Sequence, residues 1–334
     1  MVIRMTKNND YVFASSLLRA KEKAGSPAVR LESFINSPSL DALWQNAANS
    51  FGINSAEKGE ALLDFAMADA VTSIKEAVPD FSVFAPLLYK YDCTNVKLCI
   101  KAHIMGISPE GMLFSCGSVP ANEVISSYEK KELGFLPSSM RVAAKNAVEL
   151  YRKSGETRLV DLTLDKACFE DICRDTAEAP DCIKKVVSMK ADIANVLTAM
   201  RIKSSGMDTD ASISLIERAL VSGGEIDLCA FYSRDGIKNI EEITEAAKST
   251  MLYNALKKIT RSGNLSQLSI EKELSDAVLS EIAPVKYVSF GPEVVVHYLL
   301  VREAEILNIR IIAAALAGHI SSEDIRERVS RAYV

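Results

Sequence analysis

Apolar residues recur three and four positions apart along most of this chain. The spacing predicts helices over Arg30 to Ser50, Lys58 to Ala77, Ser139 to Gly155, Leu164 to Thr176, Ile240 to Thr260 and Ile270 to Ile282. No alternating strand run and no Asn-Gly hairpin stands out. The most apolar stretch, "GPEVVVHYLLVREAEILNIRIIAAALAG" (Gly291 to Gly318), breaks the pattern. A core helix has no evident use for Glu303, Glu305, Asn308 and Arg310. On a helical wheel Val301, Glu305, Asn308 and Ile312 share a stripe, and Leu300, Leu307, Ile311 and Ala314 form an apolar stripe beside it. The polar pair is therefore expected at the edge of the buried face.

The same polar pattern, acid-x-x-Asn-aliphatic, occurs three times: at Asp92, Asn95 and Val96, at Asp192, Asn195 and Val196, and at Glu305, Asn308 and Ile309. Upstream of each Asn, by 16, 15 and 16 residues, stands a proline followed by an acid: Pro79-Asp80, Pro180-Asp181 and Pro292-Glu293. Proline suits the first helical position, and an acid beside it suits the positive end of the helix dipole. Downstream lies a glycine, at Gly106, Gly206 and Gly318. Glycine there can take the left-handed conformation that ends a helix. Helix-starting clusters follow at Ser108, Asp208 and Ser321. Each unit thus predicts a helix of about 25 residues, roughly 38 Å long. Pro86 should kink the first of them or delay its start. "CGSVPANEVISSY" and "SGGEIDLCAFY" add a fainter echo between the first two units, with Tyr128 and Tyr232 in matching places. The fold expected is all-α, built as three tandem helical repeats over residues 1–118, 119–224 and 225–334.

Composition agrees. Only 15 Gly and 10 Pro occur in 334 residues, few for an all-β or a disordered chain. A net charge of −5 does not exclude nucleic-acid binding, but no basic stripe supports it, and no nucleic-acid partner is expected. Seven scattered cysteines without a C-x-x-C pair suit a reducing compartment. The first 25 residues lack a signal-peptide pattern, and the apolar stretch ending at Gly318 is too polar to span a bilayer unaided. No lipid insertion is expected.

The search for chemistry finds no H-E-x-x-H, P-loop, nucleophile elbow or kinase signature. No D-D-x-x-D motif is present to hold magnesium and diphosphate, which disfavours an α-helical enzyme of the prenyl-diphosphate type. No cofactor or metal is expected. The remaining candidates are the signature residues Asp92, Asn95, Asp192, Asn195, Glu305, Asn308 and Arg310. Three readings of them stay open: they tie neighbouring helix ends or loops, they line an axis and contact a partner, or they form a metal or catalytic carboxylate site.

"FGPE", "EAEILNIRII" and "IRERVSRAYV" in the stretch from Phe290 to Val334 resemble the C-terminal signature of the C subunit of V-type and A-type rotary ATPases, whose eukaryotic counterpart is the d subunit. "LLYKYDCTNVKLCIKA" is similar to that family's first repeat, "LTLDKACFEDI" and "KADIANVLTAMR" to its second, and "DYVFASSLLRAKE" to its opening helix. The segment from Ala313 to Leu316 and His319 depart from the family pattern. The resemblance implies a non-catalytic, funnel-like rotor subunit, three helical modules around a pseudo-threefold axis with a central cavity. It implies as partners the central-shaft subunits of the ATP-hydrolysing head and the membrane proteolipid ring. It also implies a peripheral place on the cytoplasmic face, in a complex that couples ATP to proton or sodium transport. A general helical-repeat scaffold with other partners is the alternative.

Overall fold

The computed structural model describes residues 8–22, 27–53 and 57–333. The chain begins with α1 (Val12–Glu22), α2 (Pro27–Ile35), α3 (Leu40–Phe51) and α4 (Glu60–Ala77). It continues through α5 (Tyr89–Met105), α6 (Ala121–Glu129), α7 (Ser138–Ser154), α8 (Thr157–Asp175), α9 (Asp181–Ser204), α10 (Thr209–Ala219), α11 (Ile240–Ala246) and α12 (Tyr253–Ser262). It ends with α13 (Gln267–Ile282), α14 (Pro292–Ala317) and α15 (Ser322–Arg328). The protein is all-α apart from one short hairpin, Tyr232–Ser233 with Gly236–Ile237, the single β-ladder among the described residues. Among those residues no helix is long and apolar enough to cross a membrane.

Two compact units form. The first joins the chain up to Phe81 with the segment from Ser275 onward. Its centre is α14, which packs against α1, α2, α3 and α4. Val294, Val295, Ile309 and Ile312 of α14 are fully buried. Burying each such side chain stabilises the fold by about 1.5–3 kcal/mol before entropy is counted. The second unit runs from Ser82 to Leu274. There α8 lies against α5, α7, α9 and α10.

Local chemistry explains where the elements depart from the hydrophobic spacing. The helix expected from Arg30 to Ser50 is two helices. It breaks at Ser37-Pro38, and the Ser39 side chain then caps α3 by accepting the Ala42 N–H at 3.2 Å. The helix expected from Ile240 to Thr260 breaks between α11 and α12. Pro86 sits in a tight turn, Ala85–Leu88, so α5 starts only at Tyr89 and has 17 residues. Its counterparts α9 and α14 have 24 and 26. Gly106 and Gly206 are left-handed as expected, but Gly318 is not. His319 holds that conformation instead, at φ 53°, and the Ile320 N–H closes the helix end on Ala315 O.

Candidate functional site

The signature residues sit on α5, α9 and α14. Each asparagine does the same thing. A planar amide offers one donor and one acceptor side by side, which matches the N–H and C=O of a single residue in a nearby strand-like loop. Asn95 donates to Phe114 O at 2.9 Å and accepts the Phe114 N–H at 2.8 Å. Asn195 holds Val221 with two bonds of 2.9 Å. Asn308 holds Ser330 with two of 2.8 Å. The side chain thereby stands in for one rung of a β-ladder.

The acid three residues earlier lies on the same helix face. Asp92 accepts the N–H groups of Ser118 at 3.1 Å and Val119 at 3.4 Å. Asp192 accepts those of Glu225 at 2.9 Å and Ile226 at 3.1 Å. Each pair of donors follows a glycine. A Cβ on Gly117 would stand 2.3 Å from Asp92 Oδ1, and one on Gly224 would stand 1.9 Å from Asp192 Oδ1. Glycine is therefore required by the approach of carboxylate to backbone, not by backbone angle. This is the physical content of the echo between "CGSV" and "GGEI": the glycines and the residues after them match in role. Tyr128 ends up in α6 and Tyr232 in the hairpin.

Glu305 is held differently. Its longer side chain meets the Arg30 guanidinium of α2, through Nε at 3.1 Å and a closer contact from the second nitrogen. Arg302 approaches from the other side at 3.3 Å, with its guanidinium 4.5 Å from the Phe51 ring centroid. Tyr333 completes the site, its hydroxyl accepting a bond from Asn308 Nδ2 at 2.9 Å. Burial pushes that phenol well above its ordinary range, and the charge of Glu305 adds to the shift.

All six signature acids and asparagines are at most 3% exposed. The helical-wheel expectation for α14 thus needs correction. Glu305 and Asn308 lie deep, while Leu307 of the supposed apolar stripe is 46% exposed. Hydrogen-bonding partners from α2 and the C-terminal segment outweigh hydropathy here. Arg310 is apart from this cluster, at the surface, pairing with Glu60 of α4 at 2.9 Å. Burial pushes the carboxyls of Asp92 and Asp192 up to about 6, although two N–H groups pull each the other way. Among the described residues no group of three or more His, Cys, Asp or Glu is placed to hold a metal ion.

Arg30, Gly117, Gly224, Ser330 and Tyr333 are the participants that the sequence reading did not single out. For Arg30 a signal exists: it stands one helical turn before Phe34, beside the buried stripe of α2.

Three buried asparagines, on α5, α9 and α14, each hold one residue of the chain's own backbone through a pair of hydrogen bonds. Residues 43–328 match the model of the ATP synthase (C/AC39) subunit. The chain belongs to that family. It is 28% identical over 219 residues to the C subunit of the A-type ATP synthase of Haloquadratum walsbyi, covering 64% of this chain and 56% of that protein. It is 21% identical over 265 residues to the C subunit of the V-type sodium ATPase of Enterococcus hirae, 78% of each chain. The C subunit of the A-type ATP synthase of Methanocaldococcus jannaschii is 21% identical over 348 residues, 95% of this chain and 85% of the relative. The C/AC39 family is a non-catalytic component of rotary ATPases. In this C/AC39 chain each signature carboxylate accepts N–H groups of its own fold: backbone N–H for Asp92 and Asp192, the Arg30 guanidinium for Glu305.

Proposed function

We propose that this chain is the connector of a rotary ATPase. It receives the tip of the central shaft and seats it on the membrane proteolipid ring, so that torque crosses from the ATP-hydrolysing head to the ion-carrying ring. It acts from the cytoplasmic face as a peripheral subunit, without inserting into lipid. The observation that carries this reading is the family match along residues 43–328, which takes in all three signature helices.

The rest of the proposal follows from the signature. Three helical repeats, 1–118, 119–224 and 225–334, stand around an axis, each with one clamp that pins a loop to its long helix. Supporting this are the paired Asn–backbone bonds, alike in all three. A part that transmits torque must not yield where its loops join its helices. Asp92, Asn95, Asp192, Asn195, Glu305 and Asn308 serve that stiffness, and Arg310 ties α14 to α4 at the surface.

The test is reconstitution. ATPase complexes are assembled in vesicles with and without this chain, and both ATP hydrolysis and ATP-driven ion uptake are followed. Uptake is lost without the chain while the head still hydrolyses ATP. Normal uptake in vesicles shown to lack the chain would falsify the connector role.

A further inference from the structure

All seven cysteines lie in the second unit, and two of them meet between α5 and α8. Cys93 of α5 and Cys168 of α8 are both buried thiols. The Cys93 thiol donates to the Leu164 carbonyl oxygen at 3.5 Å and lies 4.0 Å from Asp165 Oδ1. Leu164 stands one helical turn before Cys168. A helical side chain points back over the preceding turn, so Cys168 covers the carbonyl that Cys93 reaches. The two thiols are in hydrogen-bonding contact there. Cys173, further along α8, is engaged elsewhere: its thiol donates to Ser222 O at 3.5 Å.

One side of the pair is open to small molecules. Cys168, with Asp165, Phe169 and Ile172, lines a cleft of about 140 Å³. The share of one water in the liquid is about 30 Å³, so the cleft admits hydrogen peroxide. The Lys97 ammonium, held by Asp165 at 2.7 Å, favours the Cys168 thiolate. The neighbouring Cys93 thiol and burial outweigh it and hold the Cys168 thiol well above its usual range. Little thiolate is therefore present at neutral pH, and attack on an oxidant is slow. Contact does the rest: once the Cys168 sulfur is oxidised, its resolving thiol is already beside it.

We propose that Cys93 and Cys168 form a reversible oxidation site, in which hydrogen peroxide converts the pair to a disulfide that staples α5 to α8 and a dithiol reductant restores it. In the first step the Cys168 sulfur attacks one peroxide oxygen. An S–O bond forms as the O–O bond breaks, and the departing hydroxide takes the thiol proton to become water. The Cys93 sulfur then attacks the sulfenic sulfur. An S–S bond forms as the S–O bond breaks, and the second hydroxide leaves as water with the Cys93 proton. The two sulfurs give up two electrons, and one peroxide becomes two waters. Asp92 and Asn95 flank Cys93, so the bond fixes the stretch of α5 that holds the first clamp. In a reducing compartment such a bond is transient and reports oxidant. The proposal stands independently of the connector role.

The purified, reduced full chain is exposed to hydrogen peroxide, and the remaining thiols are then blocked with iodoacetamide in urea. Digestion with trypsin and a glutamate-specific protease separates Cys168 from Cys173 at Glu170, and mass spectrometry identifies the joined cysteines. Wild type should yield the Cys93–Cys168 peptide pair, lost on treatment with dithiothreitol. Its melting temperature should rise by about 5 °C or more, as expected for closing a long loop, and fall back on reduction. C93A and C168A, each shown to be folded by circular dichroism, should give neither the pair nor the rise. Peroxide that oxidises the exposed Cys229 but leaves Cys93 and Cys168 as thiols overturns the proposal. So does Cys168 carried to sulfinic acid without joining Cys93, or joined to Cys173 instead. A Cys93–Cys168 pair that forms only when peroxide meets the unfolded chain overturns it too, and a pair formed with no change in melting overturns the staple.

Discussion

Asp92 and Asp192 combine two features that pull in opposite directions: two backbone N–H donors on each carboxylate and a pKa above the ordinary range. Burial causes the shift, and it fixes the sign of a pH effect. The native pKa of about 6 lies above the ordinary 3.8, so between these values the folded protein binds more protons than the unfolded one. Each acid therefore favours folding below about pH 4 and loses that contribution as pH rises through 6. The full change is about 2–3 kcal/mol per acid. Urea unfolding of wild type and D192N at pH 5, 6 and 7.5 should show wild type losing ground to the variant as pH rises. A difference that stays flat over this range would place the native pKa near its ordinary value.

At the scale of elements, the clamps depend on residues with no side chain. Gly224→Ala puts a Cβ into the space of Asp192 Oδ1, so helix and loop must separate or the carboxylate must turn away. The expected cost is about 1–3 kcal/mol in chemical unfolding, the range for overpacking a buried site. Gly134 has nothing within 4 Å of its would-be Cβ and no left-handed backbone. G134A should therefore unfold like wild type and serves as the control. At the end of α14, His319 carries a side chain in the left-handed region, which glycine adopts without strain. H319G should raise the melting temperature slightly, by about 0.5 kcal/mol in stability, whereas H319A should not. The helices themselves were legible because their apolar spacing is long and regular. The three asparagines were legible because a polar group repeated in one register has no place on a random helix. What they hold was not. A backbone N–H has no identity in the sequence, so Phe114, Val221 and Ser330 carry no mark of being clamped. The depth of Glu305 was hidden too, since its partner Arg30 lies 275 residues away and only the fold brings them together.

At the scale of the molecule, the first unit is closed by its C-terminal segment. Ser330 fills the Asn308 clamp, and Arg326 and Arg331 both reach Glu32 of α2, at 3.1 and 2.6 Å. The two arginines hold the Glu32 carboxyl below its usual range. Removing the chain from residue 322 onward strips these bonds, each worth about 0.5–1.5 kcal/mol net. Amide exchange should then accelerate in α2 and α14 and stay unchanged in α8. Equal acceleration in α8 would mean that the two units unfold as one.

The first unit is assembled from both ends of the described chain, with the whole second unit inserted between Phe81 and Ser275. On the ribosome, α1 to α4 emerge before the helix that covers their apolar faces has been made. Residues 82–274, by contrast, contain every segment of their own core. Synthesis should therefore yield a finished inner unit while the opening helices still wait, exposed and prone to stick to other chains. Nascent chains stalled once residue 274 has left the ribosome, with α14 still inside it, should resist protease in the second unit and be cut within α2 to α4, and chaperones that bind exposed apolar segments should hold those helices until α14 arrives.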